Sequence, residues 1–139
     1  HVSTELANRR ALYRHLTRAV EHVESTGEQS FLLLVKLFGW EAIWRKAGFE
    51  TAEGVLQKAA NILETQVSSS TPYGYLDGGS FGIVLNIASP KEVESLGSDL
   101  VDQMNIAEIT CNWASAPIEA GTPATAIHAA AEEDARLRS

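Results

Sequence analysis

The residues of this chain with the clearest potential for chemistry lie in the segment LDGGSFGIVL, residues 76–85. Two glycines follow Asp77 and precede an alternating apolar run, which is typical of a tight β-hairpin because glycine tolerates positive φ. The backbone N–H groups of Gly78 and Gly79 could also approach an anion. The segment is therefore a phosphate-binding hairpin, the remnant of one, or a plain tight turn with Ser80 at the surface.

Two further sets of side chains lie on a predicted N-terminal helix. His15 and His22 are seven residues apart, whereas a chelating pair on a helix is usually spaced i, i+4. A solvated surface is therefore favoured over a metal site. Arg10, Arg14 and Arg18 follow one face and could meet an acidic partner or an anionic ligand. Local pairing with glutamate and with solvent is the favoured interpretation of this stripe.

Apolar periodicity predicts the elements that must position these residues. The run FLLLVKL predicts a central strand, and alternation after the glycines predicts the second strand of a hairpin. Ser89 followed by Pro90 predicts a helix start, and Gly97 is a weak spot in that helix. The predicted order is helix 3–26, strand 31–37, helix 39–49, helix 51–67 with a Thr51 cap, hairpin 73–88, helix 89–104, strand 106–115 and helix 122–138.

The order of the predicted elements indicates an α+β fold, and length and composition predict a single domain. The chain has 139 residues, 45% of them hydrophobic, which suits one core. A net charge of −7 argues against nucleic-acid binding. The only cysteine, Cys111, suits a reducing compartment, and no apolar run is long enough to span a membrane. We therefore expect a cytoplasmic domain without membrane contact. The start at His1 without a Met predicts a fragment of a larger multidomain signalling protein.

Three segments, in this order, resemble the GGDEF family, whose active members are diguanylate cyclases. LANRRAL (6–12) is similar to the family's opening segment, and AGFETAEGVL (47–56) to its G-H-x-x-G-D-x-V-L stretch. DGGSFGIVL is similar to the signature hairpin, with Phe81 on the motif Phe. The resemblance implies a GGDEF or nucleotidyl-cyclase-like sandwich, in which helices flank a mostly antiparallel sheet of about five strands.

The same resemblance predicts that the catalytic machinery is lost. Family cyclases bind two Mg²⁺ ions through carboxylates, and the two metal positions fall here on Lys36 and Phe38. An ammonium or a phenyl group cannot ligate Mg²⁺, which requires hard oxygen ligands. The five signature positions are Asp77, Gly78, Gly79, Ser80 and Phe81. We therefore expect a degenerate signature with no catalytic residue, no metal and no cofactor.

Guanine recognition and feedback inhibition are expected to be lost as well. The family position that reads the base falls on Trp44, and its acidic partner falls on Glu53. Both are vestigial nucleotide-binding positions in this interpretation, and GTP affinity is expected to be weaker than about 1 mM. Glu53 and Asp77 could form a metal site or a dyad, but a third ligand is missing. The inhibitory R-x-x-D positions fall on Ser68 and Thr71.

The exposed or buried state of the aromatic residues separates two interpretations. Trp40 and Trp44 share a predicted helical face beside Phe38. They could form a platform on which a nucleotide stacks, but packing that fills the former pocket is favoured.

These residues predict a domain that is not an enzyme. It would be a non-catalytic regulatory or protein-interaction module in bacterial cyclic di-GMP signalling. Its partner would be a neighbouring domain of the same chain, such as an EAL-type or receiver domain, or another signalling protein. The alternative is a sensor that binds GTP or cyclic di-GMP without turnover.

Overall fold

The computed structural model describes residues 2–76 and 78–138, with residues 2–7 described by their backbone only. Asp77, the first signature position, lies outside the described residues. The elements are α1 Val2–Thr26, β1 Phe31–Leu37, α2 Trp40–Gln66, β2 Tyr73–Tyr75, β3 Ser80–Leu85, α3 Pro90–Ile106, β4 Cys111–Pro117 and α4 Ala124–Arg138.

The strands form one antiparallel sheet in the order β2-β3-β1-β4. In the centre, Phe31 of β1 lies opposite Leu85 of β3 on one side and opposite Pro117 of β4 on the other. The predicted α+β fold, with an antiparallel sheet and flanking helices, is confirmed. The sheet has four strands across the described residues, rather than about five.

Both faces of β1 are buried, which explains its continuous apolar sequence. Successive side chains of a strand point to opposite faces of the sheet. Leu32 and Leu34 therefore pack with residues of α1 and α4, whereas Leu33 and Val35 pack with residues of α2 and α3. The predicted central strand at 31–37 is confirmed with its bounds.

The strand predicted for residues 106–115 begins later than expected. The α3 helix continues through Ile106, and the chain then turns at Glu108, whose φ is 65°. The Ile109 N–H donates to Met104 O over 2.8 Å within this turn. Apolar residues at 106, 107 and 109 suggested a strand, but the buried Met104 holds the last turn of α3 on the sheet.

The predicted start of α3 is confirmed in detail. Ser89 Oγ accepts a hydrogen bond from the Glu92 N–H over 3.2 Å, and Glu92 Oε1 accepts one from the Ser89 N–H over 3.0 Å. These reciprocal bonds form a capping box that satisfies two backbone donors at the helix start. Pro90 occupies the first turn, where its missing N–H costs nothing.

The two helices predicted for 39–49 and 51–67 are confirmed as two helical segments of one element, α2, that meet at a kink. Gly48 has φ 86° and ψ 172°, which is a backbone conformation that is open mainly to glycine. The kink divides α2 into a first half, residues 40–48, and a second half, residues 49–66. Thr51 lies inside the second half, so the prediction that it caps a separate helix is wrong.

Candidate functional site at the carboxyl end of the central strand

The β2–β3 hairpin holds the glycine pair against the start of α2. Gly78 and Gly79 have φ values of 63° and 77°, as the turn chemistry predicted. A Cβ atom at Gly79 would lie 2.6 Å from the Trp40 ring, so this close approach requires glycine. The Gly79 N–H donates to Tyr75 Oη over 3.0 Å. The Gly79 N–H is therefore already paired within the hairpin, and anion binding by the glycine pair stays a prediction.

Ser80 and Phe81 are strand residues with buried side chains. Ser80 lies opposite Lys36 in the β1–β3 ladder, which brings the fourth signature position beside the end of β1. Phe81 packs edge-on against Tyr75, with ring centroids 5.3 Å apart. The expectation that Ser80 is a surface turn residue is wrong, because β3 begins at this residue.

Lys36 forms an ion pair with Glu132 of α4. Its Nζ donates to Glu132 Oε2 over 2.8 Å and to Oε1 over 3.1 Å. The two side chains are 33% and 39% exposed, so solvent screens the attraction and the pair stabilises the fold only modestly. Sequence reasoning missed Glu132, because no local pattern relates two residues that are 96 positions apart.

A cleft of about 720 Å³ opens beside this ion pair, between the end of β1 and α4. Its charged side chains form two pairs, since Arg136 Nε donates to Glu133 Oε2 over 3.0 Å. This hydrogen bond lowers the pKa of the Glu133 carboxyl group. The cleft therefore presents balanced positive and negative charge. Its lining is Lys36, Leu37, Phe38, Gly39, Asn112, Ala129, Glu132, Glu133, Ala135 and Arg136.

Three large aromatic side chains around the start of α2 face solvent. Phe38 and Trp44 are each 47% exposed, and Phe49 is 39% exposed. Trp44 and Phe49 contact each other edge to face, with centroids 5.3 Å apart. We refer to these three residues as the aromatic surface. The ring of Trp44 contacts Phe49 at the surface, and the expectation that this packing fills a former nucleotide pocket stays a prediction.

The acidic residues do not assemble a metal centre within the described ranges. Glu53 is exposed on the second half of α2, and its predicted partner Asp77 lies outside those ranges. Among the residues that the structure describes, no group of three or more His, Cys, Asp or Glu side chains is placed to hold a metal ion.

Comparison with known proteins identifies the family. The family model described as "Diguanylate cyclase, GGDEF domain" matches residues 2–132. This chain belongs to the GGDEF family. Its family places the domain in cyclic di-GMP signalling.

Similar proteins support this assignment. Over 102 residues the domain is 24% identical to the "Probable diguanylate cyclase DgcE" of Escherichia coli strain K12, a match that covers 73% of this chain and 9% of that protein. Its fold is similar to the Pseudomonas aeruginosa FimX GGDEF domain, with TM-score 0.84, 16% identity and coverage of 93% and 86% of the two chains. The Pseudomonas aeruginosa diguanylate cyclase SiaD, solved in complex with its activator SiaC, also has TM-score 0.84, with 15% identity and coverage of 91% and 52%.

These findings contradict the expectation that the domain is not an enzyme. The family model is described as a diguanylate cyclase domain, and the curated relative is a probable diguanylate cyclase, so the comparisons point to an enzyme. The expectation rested on the residue types at Lys36, Phe38 and Ser80.

The turn between α2 and β2 contains the two positions that correspond to the inhibitory site. The Thr71 N–H donates to Ser68 O over 2.9 Å, and the Ser68 and Ser70 hydroxyl oxygens lie 2.9 Å apart. Both contacts lie within the turn itself. Ser68 and Thr71 therefore stabilise the local backbone, and the loss of an inhibitory site at these positions stays a prediction.

Two histidines and one arginine of α1 line a small cavity that the sequence did not predict. His15, Arg18 and His22 line a cavity of about 340 Å³ together with Asn86 and neighbouring residues. His22 Nε2 lies 3.4 Å from Glu28 Oε1. His22 therefore lies beside a carboxylate, and the glutamate pairing favoured for Arg10, Arg14 and Arg18 stays a prediction.

Two remaining observations limit the chemistry of the domain. Cys111 is buried, and burial raises the pKa of its thiol to about 11, so it is a weak nucleophile at neutral pH. Across the described residues, no helix has the length and apolar character needed to cross a membrane.

Proposed function

We propose that this GGDEF domain, residues 1–139, acts as a single regulatory and protein-interaction module within a longer cytoplasmic protein of bacterial cyclic di-GMP signalling. The aromatic surface is the observation that carries the proposal. This interaction role stands beside the enzymatic character to which the comparisons point, and does not replace it.

Exposed aromatic side chains are unusual enough to require an explanation. Burying large rings is favourable, and aromatic residues are enriched at protein interfaces. Trp44 and Phe49 contact each other, Phe38 lies two residues before α2, and clustered exposed apolar groups mark interaction sites. The segment from Phe38 to Phe49 therefore presents an apolar docking face.

A neighbouring domain of the same longer chain is the partner that we propose for this face. The domain spans only 9% of its curated relative, which shows that such a domain occurs with much additional chain. Docking in cis also needs little intrinsic affinity, because a linker keeps the effective concentration high.

Hydrogen–deuterium exchange tests the docking. The measurement compares residues 38–49 in the isolated domain and in the longer protein. We expect slower exchange of this segment in the longer protein, because the partner domain would cover it. Equal exchange in the two proteins would refute the proposal.

A pair of variants adds a functional readout. Trp44→Ser combined with Phe49→Ser removes two rings of the aromatic surface, and Tyr73→Ser is the matched control on β2, away from the start of α2. The double variant should change the cyclic di-GMP output of the longer protein while the control leaves it unchanged. Identical output from all three proteins would count against the docking role.

Nucleotide binding in the cleft is a second candidate function. The volume of about 720 Å³ lies within the usual range for small-molecule sites, and Lys36 and Arg136 supply cations for phosphate groups. Both cations are already paired with glutamates, which weakens this candidate. Calorimetric titration with GTP and with cyclic di-GMP, each with and without Mg²⁺, decides the matter. Micromolar affinity that Lys36→Met lowers would support it, whereas affinity weaker than about 1 mM would exclude it.

A further inference from the structure

A line of polar contacts connects α1 with the cleft. Tyr13 Oη of α1 lies 2.6 Å from His128 Nδ1 of α4. One turn further along α4, Glu132 Oε1 lies 4.0 Å from His128 Nε2. The same carboxylate forms the ion pair with Lys36. Four residues from three elements therefore lie in one line, with hydrogen bonds at its two ends and a longer electrostatic contact between His128 and Glu132.

The chemistry of these two neighbours favours one tautomer of His128. Glu132 presents a carboxylate, which as an anion can only accept hydrogen bonds. The proton of a neutral imidazole is therefore favoured on Nε2, which faces that carboxylate. Nδ1 is then an acceptor, and the Tyr13 hydroxyl donates to it over 2.6 Å.

The position of His128 makes it suited to orient its neighbour. Its side chain is only 15% exposed, whereas Glu132 is 39% exposed. The Tyr13 and His128 rings also pack edge to face, with centroids 5.7 Å apart. A side chain held by packing and by a hydrogen bond loses little further freedom when it orients a more mobile group.

We propose that His128 is a positioning residue that holds Glu132 against Lys36. Through its contact with His128, Tyr13 couples the Lys36–Glu132 pair to the position of α1. The Lys36–Glu132 geometry at the mouth of the cleft then depends on a contact made by a different helix. When the Tyr13 hydroxyl is lost, Glu132 turns away and the Lys36 ammonium becomes more available to a phosphate-bearing anion. This inference concerns the cleft, so it holds or fails independently of the aromatic surface.

Nuclear magnetic resonance of the 139-residue chain tests the path atom by atom. The ¹⁵N shifts of the His128 ring should show the proton on Nε2. The Lys36 ammonium signal should persist in the wild type because Glu132 holds it. Tyr13→Phe should weaken that signal, and the matched control Tyr73→Phe should leave it unchanged. A proton found on Nδ1, or equal Lys36 signals in both variants, would overturn the proposal.

Two substitutions of His128 separate positioning from a purely structural role. His128→Gln places an amide donor near the former Nε2 and should retain most of the Lys36 signal, whereas His128→Ala should lose it. Equal behaviour of the two variants, at equal thermal stability, would refute positioning. Should His128→Ala fail to fold, Tyr13→Phe and its control decide alone.

Anion binding provides the functional readout. With pyrophosphate as the probe, Tyr13→Phe should raise the affinity of the cleft by roughly fivefold, at the lower end of usual coupling between sites. Lys36→Met in the same background should abolish the gain. Unchanged affinity in Tyr13→Phe would show that α1 is not coupled to the cleft.

Discussion

The two halves of α2 are joined at the Gly48 kink but lie in opposite environments. The second half buries Ala52, Ala59 and Leu63 against the sheet. In the first half Trp44 remains at the surface, and the chain bends away at Gly48. Both halves carry apolar residues at helical spacing, so spacing alone does not determine burial. Burial also requires another element that covers the apolar face.

The same comparison explains why the domain can carry a docking face without losing stability. The apolar clusters on the two faces of the sheet are complete without the aromatic surface. The first half of α2 can therefore change its environment on binding while the core stays intact.

Shortening a buried side chain in the second half of α2 should have the largest effect on stability. Leu63 is fully buried, so Leu63→Ala removes core contacts and leaves a cavity. We expect a loss of about 2–5 kcal/mol in the free energy of unfolding, measured by urea denaturation. A loss below about 1 kcal/mol would mean that the second half is not part of the core.

Substitution of Gly97 on α3 should have the next largest effect on the free energy of unfolding. Replacing a glycine inside a helix by alanine usually stabilises by roughly 0.5–1 kcal/mol. At Gly97, however, the new methyl group would meet the Trp113 indole of β4. We expect Gly97→Ala to destabilise by about 1–3 kcal/mol in urea denaturation, because overpacking outweighs propensity. A stabilised variant would show that Trp113 moves aside at little cost.

Gly54 is the matched control for Gly97, and its effect should have the opposite sign. It lies in the second half of α2, and a Cβ atom there would have no neighbour within 4 Å. Gly54→Ala should therefore raise the free energy of unfolding by roughly 0.5–1 kcal/mol through helix propensity alone. The same urea series measures it. Destabilisation would indicate that the second half of α2 is less regular than the structure shows.

The exposed first half should give the smallest effect. Trp44→Ser removes one surface contact with Phe49 and creates no cavity. We expect a change within about 0.5 kcal/mol in the isolated domain. Urea denaturation of the isolated domain provides the test. A loss close to that of Leu63→Ala would erase the difference between the two halves.

Much of the fold follows from local patterns in the sequence. The seven-residue apolar run predicted β1 with its bounds, since only a strand that is buried on both faces lacks alternation. Ser89 and Pro90 predicted the start of α3, because capping depends on residues within one turn. The Asp-Gly-Gly turn and three ordered segments were enough to indicate the family. Each of these features depends on interactions between residues that are close together in the sequence, so neighbouring residues are enough to predict it.

Only the tertiary structure determined the features of the candidate site. Lys36 meets Glu132 across 96 positions, and the Gly97 backbone meets the Trp113 ring because α3 packs on β4. The exposure of Trp44 likewise depends on the tertiary structure, in which no core element among the described residues covers its ring. Long-range pairing and coverage are properties of how elements assemble, and a local pattern of residue types carries no information about which partner a side chain will meet.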